Sequence, residues 1–203
     1  MAVKSTFRNM VLCLTAVCLL CGALLGLVYA ATHDAIAVAS LKALQESIGK
    51  VLPEGGELSE AMTLEAEGQT FEYYVSTRDD ETLGYAVKSV VSGFGGPLTL
   101  MVGVLPDGTV YNTSVLSHSE TPGLGAKCAT DPAFVGQWKG FPASKALKLK
   151  KDGGDVDAIT ASTITSRAYT LAVSNAVELV EFLEGKDDAV DTSTGASSAN
   201  WGG

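Results

Sequence analysis

Cysteine is nearly absent from the body of this chain. Of its four cysteines, Cys13, Cys18 and Cys21 lie inside one apolar run near the N-terminus, and only Cys128 lies beyond it. A single thiol closes no internal disulfide framework and forms no C-x-x-C pair, so structural zinc sites and thioredoxin-like redox chemistry lose their usual ligands. Basic side chains are also in the minority. With 14 Lys and Arg against 23 Asp and Glu, the net charge is −9, and no run of Lys and Arg gathers into a cluster. Nucleic-acid binding, which rests on neutralising phosphates, is excluded on that balance, and the excess acid reads as a soluble surface. At 203 residues, 46% of them hydrophobic, the chain accommodates one membrane segment and one ordinary domain but no second sizeable core.

Charge is missing altogether from residues 9 to 32, which are rich in Leu, Val, Ala and Cys and follow Lys4 and Arg8. That length matches the roughly 20 apolar residues that cross a bilayer as a helix, and the positive flank assigns residues 1–8 to the cytoplasm and the remainder to the outside. Val28-Tyr29-Ala30 offers a small-residue cleavage site, but the run exceeds the 7–15 residues of a signal-peptide core, which favours a retained anchor over 9–32. Residues 33–56 follow as a stalk: Ile36, Ala39, Ala43, Leu44 and Ile48 recur at helical steps from Asp34 to Val51, and Pro53 to Gly56 break the pattern.

The domain is expected over 57–184. Residues 57–70 read as an acidic, irregular connection. The segments 71–75, 83–91, 98–105 and 110–116 are enriched in β-branched and aromatic residues and read as strands. Turn signals separate them: Arg78-Asp79-Asp80, Gly93-Phe94-Gly95-Gly96-Pro97 and Pro106-Asp107-Gly108, the last joining 98–117 into a hairpin. Asp131-Pro132 opens a short helix whose Phe134 and Trp138 share a face and read as core, and Ala146 to Lys150 alternate as a further strand. The loop Ser117-His118-Ser119-Glu120-Thr121-Pro122-Gly123-Leu124-Gly125 contains His118-x-Glu120, which has no further His or Cys beside it and reads as structural rather than metal-binding.

The chain is organised around Asp157-Ala158-Ile159-Thr160-Ala161-Ser162-Thr163-Ile164-Thr165-Ser166-Arg167. Five hydroxyl side chains stand between Thr160 and Ser166, directly ahead of an apolar segment with helical period and no Gly or Pro before Gly185. A helix start exposes unpaired N–H groups and the positive end of the macrodipole, which favour a phosphate or carboxylate. Ser and Thr also cap helices with no ligand at all, and spacing alone does not choose between the two.

The run from Asp157 to Thr163 resembles the covalent flavinylation motif D-x-x-(S/T)-G-A-T of the FMN-binding domain family found in RnfG/RsxG and NqrC. The family's Gly-Ala is Ala161-Ser162 here, small residues that keep steric access to Thr163. The loop His118-x-Glu120-Thr121-Pro122-Gly123-Leu124-Gly125 matches a second family hallmark, with Gly-Phe-x-Gly-Pro and Val-Gly-Val-x-x-Asp-Gly ahead of it in the family's order.

That resemblance implies an α+β fold: an N-terminal transmembrane helix, then one strand-rich FMN-binding domain with an antiparallel sheet and flanking helices. It implies FMN joined through its phosphate to Thr163 by a flavin transferase, with Asp157, Thr160, Ala161 and Ser162 in the attachment motif and Glu120, Thr121, Gly123 and Leu124 along the flavin. It further implies the G component of an Rnf-type complex, relaying electrons while its partner proteins couple ferredoxin/NAD electron transfer to ion movement across the cell membrane. Other readings are the C component of a sodium-pumping NADH:quinone oxidoreductase, an FMN carrier serving a separate extracytoplasmic reductase, and an anchored binding domain without flavin. The short linkage between anchor and domain favours the Rnf-type G component over the sodium-pump C component. Residues 185–203, rich in Ser, Thr, Gly, Ala and Asp, read as a disordered tail whose Asp191–Ser197 string fits the motif loosely, with Ser197 at the acceptor position.

Overall fold

The structure is a computed structural model that describes residues 6–66 and 69–185; the expected tail beyond Gly185, with its Ser197, lies outside them. It divides into two compact units, Met1–Ala43 and Leu44–Gly203. Helix α1 (Phe7–Val51) runs through the first from Phe7 and ends in the second, to which its residues 44–51 belong. Its apolar side chains, among them Leu12, Leu19, Leu20, Leu25 and Leu27, are exposed. It is the one described helix long and apolar enough to cross a membrane. No helix break separates the expected anchor from the expected stalk.

The second unit is built on one antiparallel sheet. Strands β3 (Gln69–Arg78), β4 (Glu81–Ser92), β5 (Pro97–Val104) and β6 (Val110–His118) pair in sequence order. Strands β1 (Glu57–Leu58) and β2 (Met62–Ala66) share the free edge of β3. Within the acidic stretch expected to be an irregular connection, residues 57–58 and 62–66 are therefore edge strands. Edge strands pack on one side only and tolerate charge, which hides their alternation. The β3–β4 turn has positive φ at both central residues, Asp79 (51°) and Asp80 (65°), the backbone that a two-residue hairpin requires.

Side chains alternate across the sheet. Phe71 on β3, Tyr85, Val87 and Val91 on β4, and Leu98, Leu100, Val102 and Val104 on β5 join the main core beneath the last helix, α4 (Thr163–Leu183). That helix contributes Ala168, Ala172, Val173, Ala176, Val177, Leu179 and Val180, while Ile164 and Leu171 remain exposed. It ends at Gly185, whose φ of 66° suits a position just past a helix end. The Tyr85 hydroxyl, pushed up to about 12 mainly by burial and then by its 2.6 Å hydrogen bond to Glu184, stays protonated at neutral pH and ties β4 to that end. Short helices α2 (Lys127–Thr130) and α3 (Pro132–Gly136) close the core's side. Asp131 caps α3 through the Ala133 N–H, with Pro132 at its first position. Phe134 and Trp138 are core, as their spacing suggests: Trp138 stacks on Tyr169 at 5.4 Å and Phe134 meets the same ring edge-on at 5.0 Å. Residues 146–150 do not form the expected strand. They turn through bends into a 3-10 turn (Lys150–Asp152): Leu149 is buried and Leu147 packs half-buried against the same core, but the backbone makes only a single bridge, from Leu149 to Val156.

The opposite face of the sheet carries Tyr74, Ala86 and Met101, covered by Ile48, Val51 and Leu52 from the end of α1 and the residue after it. Gly103 on β5 makes this contact possible, since a Cβ there would lie 1.6 Å from the Val51 carbonyl oxygen. Backbone cannot give way as a flexible side chain does. Gly103→Ala is expected to cost about 2–3 kcal/mol, the scale of overpacking a filled core, read as a lower denaturant midpoint at unchanged slope.

Candidate functional site

The start of α4, the loop Glu120–Gly125 and the turn after β4 enclose a cleft of about 360 Å3 lined by Phe94, Glu120, Thr121, Leu124, Gly125 and residues 161–165. Its volume is at the lower end of the range for small-molecule sites. Phe94, Leu124 and Ile164 are all exposed, so the rim is apolar and open, of a kind that suits a flat aromatic ligand.

Glu120 holds these walls together. It is only 6% exposed, and one carboxylate oxygen accepts from the Phe94 N–H at 2.7 Å while the other accepts from the Thr165 hydroxyl at 2.9 Å. Gly93 and Gly125 press against the same carboxylate, where a Cβ would come within 2.1 and 2.3 Å of it, and Gly95 lies against the Ser119 carbonyl with a corresponding separation of 2.1 Å. The glycines of the 93–96 turn are thus needed for close approach of two loops, beyond what reversing the chain requires. Burial, and then the negative charge of Glu120, push the neighbouring Cys128 thiol up to about 11, which leaves it protonated and unreactive.

The hydroxyl run divides into distinct roles. Ser166 is buried, accepts from the Ile159 N–H at 2.9 Å and donates to the Ser162 carbonyl at 2.9 Å, which folds the 159–162 loop onto α4. The Thr165 hydroxyl is engaged by Glu120. Ser162 occupies the N-cap position, yet its side chain makes no capping hydrogen bond. Thr163 is the first helical residue, half-buried in the cleft wall. The N–H groups of the first turn therefore keep their hydrogen-bonding capacity and the dipole's positive end, a setting that accepts a phosphate.

Of the residues singled out from sequence, Glu120, Thr121, Leu124, Ala161, Ser162 and Thr163 line the cleft, and Asp157, Thr160 and Gly123 do not. Asp157 is exposed and accepts from Lys150 Nζ at 2.7 Å, while its backbone is gripped from both sides by the Gln137 amide. Thr160 is exposed beside the loop, and Gly123 supplies a φ of 77° that turns the 121–125 segment. Sequence reasoning passed over Phe94, Gly125, Ile164 and Thr165 as wall residues. The signal for the first lay in the three glycines around Phe94, more than one turn requires.

Ala161 adopts φ of 62°, the left-handed region, where an L side chain is strained. The resembling motif carries Gly at this position, which explains that glycine by backbone conformation as well as by access. Ala161→Gly is expected to stabilise the domain by about 0.5–1 kcal/mol, raising Tm by about 2–4 °C without altering the cleft's chemistry.

With this geometry in place, comparison with known proteins is direct. A family model described as an FMN-binding domain matches residues 93–178, from the turn beside Phe94 to well inside α4. The G component of an ion-translocating oxidoreductase complex from Vibrio vulnificus is 36% identical, over 73% of this chain and 77% of its own. The G component of a proton-translocating ferredoxin:NAD(+) oxidoreductase complex from Clostridium ljungdahlii is 33% identical, over 85% of this chain and 90% of its own. The chain belongs to this family of G components of ion-translocating oxidoreductase complexes. Among solved structures, the C component of a Na(+)-translocating NADH-quinone reductase from Parabacteroides distasonis aligns over 63% of this chain and 77% of its own, at 23% identity and TM-score 0.45. Both motifs of this family member fall inside the matched region, and the cleft is where the two meet.

Proposed function

We propose that the protein is the flavin-bearing electron relay of a membrane-bound ion-translocating oxidoreductase, with FMN esterified through its phosphate to Thr163. The observation that carries this reading is the Thr163 side chain, without a hydrogen-bond partner among the described residues, at an uncapped helix start inside an apolar-rimmed cleft.

The residues fit the group. The N–H groups at the start of α4 would hold the phosphate, assisted by the helix dipole. Phe94, Leu124 and Ile164 would flank the ring system, and Thr121 with the loop backbone would meet its polar edge. When bound, the flavin supplies the electron-transfer chemistry; this chain's part is to fix it in place and limit its contact with water. Attachment by a covalent bond prevents loss by dissociation from a domain that faces the outside. In this reading residues 1–8 are cytoplasmic, 9–32 span the membrane, 33–56 form stalk and linker, and 57–184 form the extracytoplasmic domain. The partners are the other proteins of a ferredoxin- and NAD-linked complex of the Rnf type, with a flavin transferase for maturation.

The test is the intact mass and visible spectrum of protein extracted from membranes of cells that also make the transferase. A mass above the translated chain by one FMN less one water, with flavin absorption, supports the reading. A colourless chain of unmodified mass overturns it.

A further inference from the structure

Charge is spread unevenly over the domain. From Leu44 to Asp131 four basic side chains stand among thirteen acidic ones, whereas Pro132 to Lys151 contains Lys139, Lys145, Lys148, Lys150 and Lys151 and no acid. Four of these lysines fall within residues 145–151, and folding adds Arg167 to them. Residues 145–157 form a tight knot in which the Val156 N–H donates to the Lys148 carbonyl at 3.0 Å and the Lys150 N–H to the Val156 carbonyl at 2.8 Å. Asp157 and Asp152, two of the three acids that follow, are taken up by ion pairs with Lys150 (2.7 Å) and Arg167 (2.7 Å). The third, Asp155, accepts from the Ala146 N–H at 2.9 Å. Lys148 and Lys151 remain exposed without such an ion pair among the described residues, and Lys145 stands 5.5 Å from the centre of the Phe141 ring.

The lobe borders the cleft. Arg167, which clasps Asp152 with both Nε and Nη2, lies four residues after Thr163 and hence on the same face of α4, one turn away. Within a Debye length of about 8–10 Å, a charged body seated at the start of α4 feels Arg167 and Lys151, which both act on Asp152, while Lys145, two residues from an Ala143 that shares the Gly108 position with Glu181, stands toward the far end of the lobe.

We propose that Lys145, Lys148, Lys150, Lys151 and Arg167 form the docking surface for the acidic rim of a redox protein that exchanges electrons with the flavin. The proposal rests on the flavin reading above. An acidic partner is repelled over the remainder of the domain and is steered to this lobe, which brings its redox centre to the cleft. The occupant is a protein rather than anionic lipid because the lobe flanks the exposed apolar rim of the cleft, where electrons must enter or leave.

The experiment uses the full flavinylated chain in neutral detergent, with bound flavin measured by absorbance in every sample. After chemical reduction it is mixed with one of two matched acceptors: native cytochrome c, which is basic, or the same protein with its lysines succinylated, which is acidic. One electron leaves the reduced flavin, one haem iron(III) becomes iron(II), and any proton released passes to the buffer. The acidic acceptor is expected to react about tenfold faster at low ionic strength, with the gap closing as salt rises. The triple variant K145Q/K148Q/K151Q, which spares both ion pairs, is expected to lose that lead at unchanged flavin content. A faster basic acceptor, the order that the net charge of −9 alone dictates, overturns the proposal. So does an acidic-acceptor lead that survives the triple substitution. Loss of the lead on reconstitution into phosphatidylglycerol vesicles, but not into phosphatidylcholine vesicles, assigns the lobe to lipid and overturns it as well. A colourless chain removes the flavin reading and this proposal together, whereas a coloured chain with the wrong order removes only the latter.

Discussion

Protein carrying Thr163→Ala, made together with the flavin transferase, is expected to be folded and to show no flavin fluorescence in a denaturing gel. The loss is complete rather than partial because the neighbouring hydroxyls are otherwise committed or misplaced. Thr165 donates to Glu120, Ser166 is buried in the loop staple, and Thr160 stands outside the cleft. Ser162 sits one position earlier at the helix cap and is 7% exposed, against the half-buried, cleft-facing Thr163. Folding is spared, since the Thr163 side chain makes no hydrogen bond among the described residues and alanine is the better helix former, so the stability change stays within about 0.5 kcal/mol. Thr163→Ser, which keeps the hydroxyl, is expected to retain fluorescence. Unchanged fluorescence in the alanine variant moves the acceptor elsewhere, with Ser197 the first position to examine.

How much of this was readable beforehand depended on whether a residue acts locally or across the chain. The final helix, the β5–β6 hairpin and the Pro132 helix were legible because period, turn chemistry and capping are written into neighbouring residues. Strands β1 and β2 were not, since β1 is only two residues long with both exposed, and β2 buries Met62 and Leu64 only in part, which weakens the alternation that marks a strand. Residues 146–150 alternate like a strand, yet no neighbour offers them a ladder, and the lysines of that alternation face solvent. At the site, the hydroxyl run and the Glu120 loop were legible as motifs. That one carboxylate joins them to a third segment was not, because a hydrogen bond between residues 45 apart, as from Thr165 to Glu120, has no local signature. The basic lobe escaped for a different reason: Lys145, Lys148 and Lys150 are spaced by apolar residues and read as the outer face of a strand, and only the ion pair of Arg167 with Asp152 ties them to the helix start.

Glu120 is the residue on which substitution is expected to affect the whole cleft, and two variants separate its mechanical role from its electrical one. Glu120→Ala removes both acceptors at once and leaves the Phe94 N–H and the Thr165 hydroxyl facing an apolar void. Hydrogen bonds to a charged group contribute about 1.5–3 kcal/mol, and a buried donor left unpaired adds its own penalty. A net loss of about 2–3 kcal/mol follows, a fall in Tm of roughly 6–12 °C, with the 93–96 turn and the first turn of α4 no longer held together. Flavin attachment is expected to fall with them. Glu120→Gln keeps the shape: its carbonyl accepts from Phe94, and its amide donates to the Thr165 oxygen, which then turns its proton elsewhere. That variant is expected to lose less than about 1.5 kcal/mol and to remain fully flavinylated. Removing a buried negative charge beside the cleft favours the more electron-rich form of a bound flavin, so its midpoint potential is expected to rise, as spectroelectrochemical titration of the intact chain can measure. If the Gln variant instead loses its flavin while the potential of any residual holoprotein is unmoved, the carboxylate's charge is needed for assembly, and the clamp is more than a matter of shape.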